Sequence, residues 1–183
     1  MIKVIHDFLD RDYCKAFTLY ALNERLENFK PYSRNPKETP GPKTHGRHSD
    51  PFAQASLKAM MPKVQRYFKQ KEIYPSYSYY IVYENEARLD PHVDKDACEI
   101  SVTVPTGYLY GDSDKRDLWP LYLDGKPIEL DIGDAVLYTQ EPKKITHWRK
   151  PFGGIYQVQL LFHYVTGGNY KTPVPLKKLV DTA

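Results

Sequence analysis

The segment Pro91-His92-Val93-Asp94 brings two metal-binding side chains close together in the chain. His92 and Asp94 are two positions apart, so on extended backbone both side chains leave the same face. That spacing puts an imidazole nitrogen and a carboxylate oxygen within reach of one ion. A third ligand must come from elsewhere, and His147 is the candidate because it precedes the last long strand-like segment.

Two histidines and one carboxylate on one side of a metal leave three coordination positions open. This donor set is typical of non-haem iron(II) oxygenases, which use the open positions for O2 and a chelating cosubstrate. A short motif alone is weak support, because isolated His-x-Asp triplets also occur. The remaining histidines are weaker candidates for metal ligands. His45 and His48 lack an evident carboxylate partner, His6 is isolated, and His163 is predicted to be a satisfied core or pocket histidine.

A mostly β structure is predicted to position these ligands. After Tyr74 the chain consists of β-branched and aromatic runs separated by Gly, Asp, Asn and Pro. No helical pattern lies between the runs, so the sheet should be mostly antiparallel and form a β-sandwich or barrel. The predicted strands are 76–83, 97–104, 118–124, 126–131, 135–139 and 156–165.

The N-terminal part is predicted to be helical. Apolar residues recur near helical spacing over 12–29, with Asp10 or Asp12 as the N-cap. A second helix is expected over about 49–71, with a proline in its first position. Between the helices, residues 30–48 are rich in proline and charge, which predicts a long loop.

Composition indicates one globular domain. The 183 residues are 41% hydrophobic and 27% charged, which argues against disorder. A net charge of +3 gives no electrostatic footprint for nucleic acid, and no apolar run is long enough to cross a bilayer. The N-terminus does not resemble a signal peptide. Cys14 and Cys98 form no CxxC motif, so we expect reduced thiols in a cytoplasmic protein with neither nucleic-acid nor membrane partners.

Several segments in order resemble the 2-oxoglutarate/iron(II) oxygenases of the prolyl 4-hydroxylase-like group. They are Pro91-His92-Val93-Asp94, then Gly133-Asp134-Ala135-Val136-Leu137-Tyr138, then His147 with Pro151 and Gly153, and before them Tyr83, which matches a family tyrosine of the cosubstrate pocket. The resemblance covers about 73–165. It implies an α+β chain with a double-stranded β-helix (jelly-roll) core over 73–166, helical support over 1–72 and a tail over 167–183. It also implies iron(II) held by the two histidines and the aspartate, 2-oxoglutarate as cosubstrate and ascorbate as a reductant.

One position departs from the family pattern. The family usually places Lys or Arg, the partner of the distal carboxylate of 2-oxoglutarate, where this chain has Gln157. A neutral amide supplies no charge. Arg149 could provide a bidentate guanidinium instead, or Gln157 and Gln159 could act with tyrosine hydroxyls. In the alternative interpretation, Arg149 is a solvent-facing basic residue that does not bind the cosubstrate. The predicted cosubstrate residues are Arg149, Tyr83 and Gln157.

The resemblance implies hydroxylation of a substrate with release of succinate and CO2. Residues on the inward strand faces are expected to line the pocket: Tyr79, Ile81, Ser101, Thr103, Gln159 and His163. The loops 30–48 and 111–117 are candidate lids. The substrate, a small molecule or a peptidyl residue, does not follow from the fold. Two rival hypotheses stay open: an iron oxygenase with another cosubstrate, and a non-catalytic β-sandwich binding module.

Overall fold

Two helices and ten strands make up the part of the chain that the computed structural model describes, which is residues 1–27, 43–69, 72–111 and 118–167. In chain order the elements are β1 (Ile2–Ile5), α1 (Arg11–Glu27), β2 (Thr44–His48), α2 (Pro51–Gln65), β3 (Ile73–Glu84), β4 (Leu89–His92), β5 (Ile100–Leu109), β6 (Leu121–Leu123), β7 (Lys126–Ile128), β8 (Ala135–Thr139), β9 (His147–Arg149) and β10 (Tyr156–Thr166), with a 3-10 turn at Asp96–Cys98. Most of the two candidate lids and of the C-terminal tail lies outside the described residues. None of the described helices is long and apolar enough to span a membrane.

The strands form two sheets that face each other. The major sheet has the order β1-β8-β5-β10-β3-β2, and the minor sheet has the order β4-β9-β6-β7. Each strand pairing among the described residues is antiparallel, which confirms that part of the prediction. The chain is therefore mostly β, with both helices against one sheet.

Alternation along the strands of the major sheet builds two cores. One face packs against α1 and α2 and includes Tyr80, Val102 and Leu160, all with 0% exposure. The opposite face looks towards the minor sheet, where Val136 packs against the leucines of β6. Val102, Val136 and Leu160 each lie in a segment predicted to be a strand, and all three are fully buried.

Side-chain caps fix where both helices begin. Asp10 Oδ1 accepts hydrogen bonds from the first backbone N–H groups of α1, and Asp50 Oδ1 does the same for α2. The second helix ends at Gln65, earlier than the predicted residue 71. The Gln65 side chain donates to Phe68 O and accepts from Ile73 N, at 2.9 and 3.0 Å, and so ties the end of α2 to the start of β3.

The prediction of a loop over 30–48 is wrong for its last part. Residues 44–48 form the edge strand β2, which pairs with β3 along its length. The segment has little intrinsic strand preference, so its conformation comes from that pairing. Gly46 is required there, because a Cβ at this position would lie 2.2 Å from the Tyr79 hydroxyl oxygen. The short strands β1 and β9 were likewise not predicted.

Candidate metal centre

The three predicted ligands meet at one end of the sandwich. His92, the last residue of β4, pairs in register with His147, the first residue of β9, and their ring centroids are 4.1 Å apart. Asp94 lies two residues after the end of β4, so His92 and Asp94 span the end of that strand. The ligand atoms of His92, Asp94 and His147 all lie within 4.8 Å of one another.

Backbone carbonyls orient both imidazoles. His92 Nδ1 lies 2.8 Å from Asp90 O, and His147 Nδ1 lies 3.2 Å from Ile145 O. A ring nitrogen that contacts a carbonyl carries the proton, so in each neutral ring Nε2 keeps its lone pair for a metal. Burial and the neighbouring His147 lower the pKa of His92, which favours this neutral form.

The carboxylate of Asp94 has one oxygen held and one available. Its Oδ2 accepts hydrogen bonds from Tyr138, Ser101 and Gln140 at 2.9, 2.9 and 3.3 Å, while Oδ1 lies 3.4 Å from His147 Nε2. Burial raises the pKa of Asp94, but its contacts with His147 and Ser101 more than offset burial and hold that pKa below its usual range. The group is an ionised carboxylate with Oδ1 directed at the histidines.

These donors fit iron(II) in a facial arrangement. Two imidazole nitrogens and one carboxylate oxygen form the set expected for such a site. Facial ligands with metal bonds of about 2.0–2.2 Å lie about 3 Å from one another, so ligand atoms that are within 4.8 Å need only small side-chain movements to bind one ion. Hydrogen bonds to the far side of each ligand are the outer contacts that fix ligand orientation in metal sites.

Arg149 lies on β9 two residues beyond His147 and is buried, at 4% exposure, which excludes the solvent-facing alternative. Its Nη1 donates to Trp119 O at 2.7 Å, its Nη2 donates to Gln159 Oε1 at 3.3 Å, and its guanidinium lies 4.6 Å from the Trp119 ring centre. Burial lowers the pKa of Arg149 to about 10, so the group stays charged at neutral pH. No carboxylate of the described residues forms an ion pair with it.

Hydrogen bonds through the side-chain amide of Gln159 connect Arg149 to β5 of the major sheet. Gln157 Nε2 donates to Gln159 Oε1 at 2.9 Å, and Gln159 Nε2 donates to Thr103 Oγ1 at 2.6 Å. Tyr83, at 2% exposure, packs edge-on against Trp119 with ring centres 5.0 Å apart. Burial raises the pKa of Tyr83 to about 12, so its hydroxyl is a neutral donor. Arg149 and Gln157 therefore share one hydrogen-bonded cluster through Gln159, and Tyr83 packs against Trp119, which contacts Arg149. Arg149 stands two residues from His147, which with His92 and Asp94 forms the metal-binding triad.

Solved structures share this architecture. A prolyl 4-hydroxylase from Pseudomonas putida aligns over 88% of this chain and 91% of its own, with a TM-score of 0.62 and 17% identity. A viral collagen prolyl hydroxylase from Paramecium bursaria Chlorella virus 1, solved with 2-oxoglutarate, aligns over 89% and 94%, with a TM-score of 0.63 and 12% identity. The chain has the fold of the prolyl 4-hydroxylase-like oxygenases. HygX from Streptomyces hygroscopicus, with nickel and 2-oxoglutarate bound, aligns over 95% and 85%, with a TM-score of 0.62 and 10% identity.

The similarity is one of fold. No family model matches the sequence, and no curated protein matches it.

Within this oxygenase fold, the other predicted pocket residues occupy inward positions. Tyr79 stacks on His48 with ring centres 4.2 Å apart, and Ile81 lies in the same aromatic cluster as Tyr83 and Trp119. His163, at 3% exposure, lies 3.0 Å from the Ser101 hydroxyl, as expected of a satisfied pocket histidine.

Sequence reasoning missed several residues of the site. Trp119 and Gln140 have no motif that singles them out, because their roles depend on contacts with Arg149 and Asp94 from distant parts of the chain. Tyr138 stands at the end of the Gly133–Tyr138 segment that carries the family resemblance, so that segment contained a signal for it.

Proposed function

We propose that the protein is an iron(II)- and 2-oxoglutarate-dependent dioxygenase that hydroxylates a small-molecule or peptidyl substrate and releases succinate and CO2. One observation carries the proposal: the available nitrogens of His92 and His147 and the Oδ1 oxygen of Asp94 converge at one end of an oxygenase-like sandwich. The two facing sheets support a double-stranded β-helix core over 73–166 within one domain. The free cysteines Cys14 and Cys98 support a reducing, cytoplasmic setting.

Bound iron(II) would supply the redox chemistry with O2 that amino-acid side chains lack. The protein positions the ligands. The carbonyls of Asp90 and Ile145 hold the two imidazoles in one tautomer, and Tyr138 holds the carboxylate of Asp94. Such outer contacts are worth about 10- to 100-fold in metal affinity.

Arg149 is the proposed partner of the distal carboxylate of 2-oxoglutarate. His147 and Arg149 are two residues apart on β9, so their side chains leave the same face of the strand, and their Cα separation of about 7 Å is comparable with the length of a five-carbon dicarboxylate. A buried cation without a carboxylate partner is costly, and an anionic ligand would compensate it. The neutral Gln157 stands where the family carries a cation, so this chain would deliver the charge from β9 rather than β10. Tyr83 would add a hydroxyl donor.

The neutral Gln157 is also the observation that favours a second candidate, an iron oxygenase with a different cosubstrate. Incubation with iron(II), ascorbate and 2-oxoglutarate separates the candidates. The proposal expects succinate formation in the wild type and its loss in His92→Ala and Asp94→Ala. Iron binding without any binding or turnover of 2-oxoglutarate would favour the second candidate. A protein that binds no iron(II) would be better described as a non-catalytic β-sandwich binding module.

A further inference from the structure

A second group of metal-binding side chains shares Asp94 with the triad. The ligand atoms of Asp94, Cys98 and His163 all lie within 4.8 Å of one another. Cys98 and His163 are almost fully buried, at 1% and 3% exposure. Chain spacing does not predict this group, because His163 comes from β10 and Cys98 comes from the 3-10 turn before β5.

Strand register places the carboxylate between the two groups. His163 of β10 pairs with Ser101 of β5, and the Ser101 hydroxyl lies 3.0 Å from His163 Nδ1 and 2.9 Å from Asp94 Oδ2. The other oxygen, Oδ1, lies on the side of His147. Asp94 therefore lies between the two groups, with Oδ1 on the side of His147 and Oδ2 on the side of Ser101 and His163.

The donor atoms of the two groups differ in kind. The group of Cys98 and His163 combines sulfur, nitrogen and oxygen, whereas the triad has no sulfur. Thiolates select thiophilic ions such as zinc, while oxygen-rich sites suit magnesium and calcium. Bonds of about 2.3 Å to sulfur and 2.0–2.1 Å to nitrogen place the ligand atoms of a tetrahedral site about 3.5 Å apart, so the three atoms would move closer together on binding an ion. The Tyr77 hydroxyl, 3.0 Å from Cys98 Sγ, provides the hydrogen-bond partner of the thiol.

We propose that Asp94, Cys98 and His163 form a second metal site, selective for thiophilic divalent ions such as zinc, cobalt and cadmium, which competes with the triad for Asp94. Both groups need the negative charge of Asp94, and a first divalent cation beside this carboxylate would repel a second, so we expect the two sites to compete. The existence of the site does not depend on the proposed function. Its consequence, inhibition of the oxygenase by a thiophilic ion, rests on that function.

Anaerobic titration of the full chain with cobalt(II) tests the site directly. A cobalt–thiolate bond gives a near-ultraviolet charge-transfer band that nitrogen and oxygen ligands do not produce. We expect one such band in the wild type and its loss in Cys98→Ser. Cys14→Ser is the matched control, because Cys14 is also a free, buried cysteine, and it should keep the band. His163→Gln leaves the thiol in place and should weaken cobalt binding at least about tenfold. The absence of a band in the wild type, or its persistence in Cys98→Ser, would overturn the proposal.

A second arm separates the two sites. His92→Ala should keep the cobalt–thiolate band, because His92 belongs to the triad alone. Saturating iron(II) should weaken cobalt binding about tenfold or more in the wild type but not in His92→Ala. Equal cobalt binding with and without iron(II) would refute the competition. Succinate formation without the band would reject this inference alone, and the band without succinate formation would reject the proposed function alone.

Discussion

Arg149→Ala is predicted to raise the apparent KM for 2-oxoglutarate at least tenfold. The guanidinium is 4% exposed and has no carboxylate partner among the described residues, so water would screen its interaction with a bound carboxylate only weakly. A hydrogen bond to a charged group contributes about 1.5–3 kcal/mol. At about 1.36 kcal/mol per factor of ten, that loss corresponds to a 10- to 150-fold weaker interaction. Because burial leaves the pKa of Arg149 near 10, the effect should be the same at pH 7 and pH 8.

Two substitutions define the contribution of the charge and of its geometry. Arg149→Lys keeps a cation but loses the planar pair of donors, so its KM should fall between those of the wild type and Arg149→Ala. Gln157→Ala removes only a neutral donor, which is worth about 0.5–1.5 kcal/mol, and should have a smaller effect. Arg88→Ala is the control: Arg88 is exposed, pairs with Asp90 at 2.8 Å and should leave the KM unchanged.

Succinate release at varied 2-oxoglutarate gives the apparent KM. Anaerobic calorimetry with a redox-inert divalent metal in the site gives the affinity without turnover. Unchanged 2-oxoglutarate affinity in Arg149→Ala, combined with a lower melting temperature, would refute the assignment. Arg149 would then be a structural residue that holds the Trp119 carbonyl and ring in place.

Asp94→Ala should abolish iron(II) binding in calorimetry and leave the metal-free protein folded, with a smaller loss of stability than Leu160→Ala, which should cost about 2–4 kcal/mol in urea unfolding. Equal destabilisation by both would indicate a structural role for Asp94. Tyr138→Phe removes the 2.9 Å hydrogen bond to Asp94 and should weaken iron(II) binding about tenfold, and an unchanged affinity would show that this contact does not orient the carboxylate. Burial lowers the pKa of His163 from 6.5 to about 4, so the unfolded state binds a proton first as the pH falls. The stability should be constant above about pH 6.5 and fall between pH 6.5 and 4 by at most about 3 kcal/mol; His163→Gln should flatten this part of the acid-unfolding curve, and an identical curve would contradict the reasoning.

Strong local patterns predicted much of the fold. The run AVLYT forms β8 with the predicted bounds of 135–139. Its β-branched and aromatic residues favour a strand by themselves. Asp10, one of the two predicted N-caps, caps α1, and α2 begins close to the predicted position, because a helix start depends mainly on the adjacent turn. The edge strand β2 was missed because its conformation depends on pairing with β3, which is remote in sequence.

The sequence by itself determined which metal-binding side chains were available and that His92 and Asp94 were close enough to share an ion. It also placed them in a predominantly antiparallel β protein, since alternation and turn residues act over a few positions. Only the tertiary structure decided which side chains meet. Pairing of β4 with β9 sets His92 opposite His147, burial of β9 turns Arg149 into an uncompensated cation, and pairing of β5 with β10 brings His163 to Asp94 through Ser101. Strand register is a long-range property, because each pairing is selected by the whole buried face rather than by the residues that become neighbours.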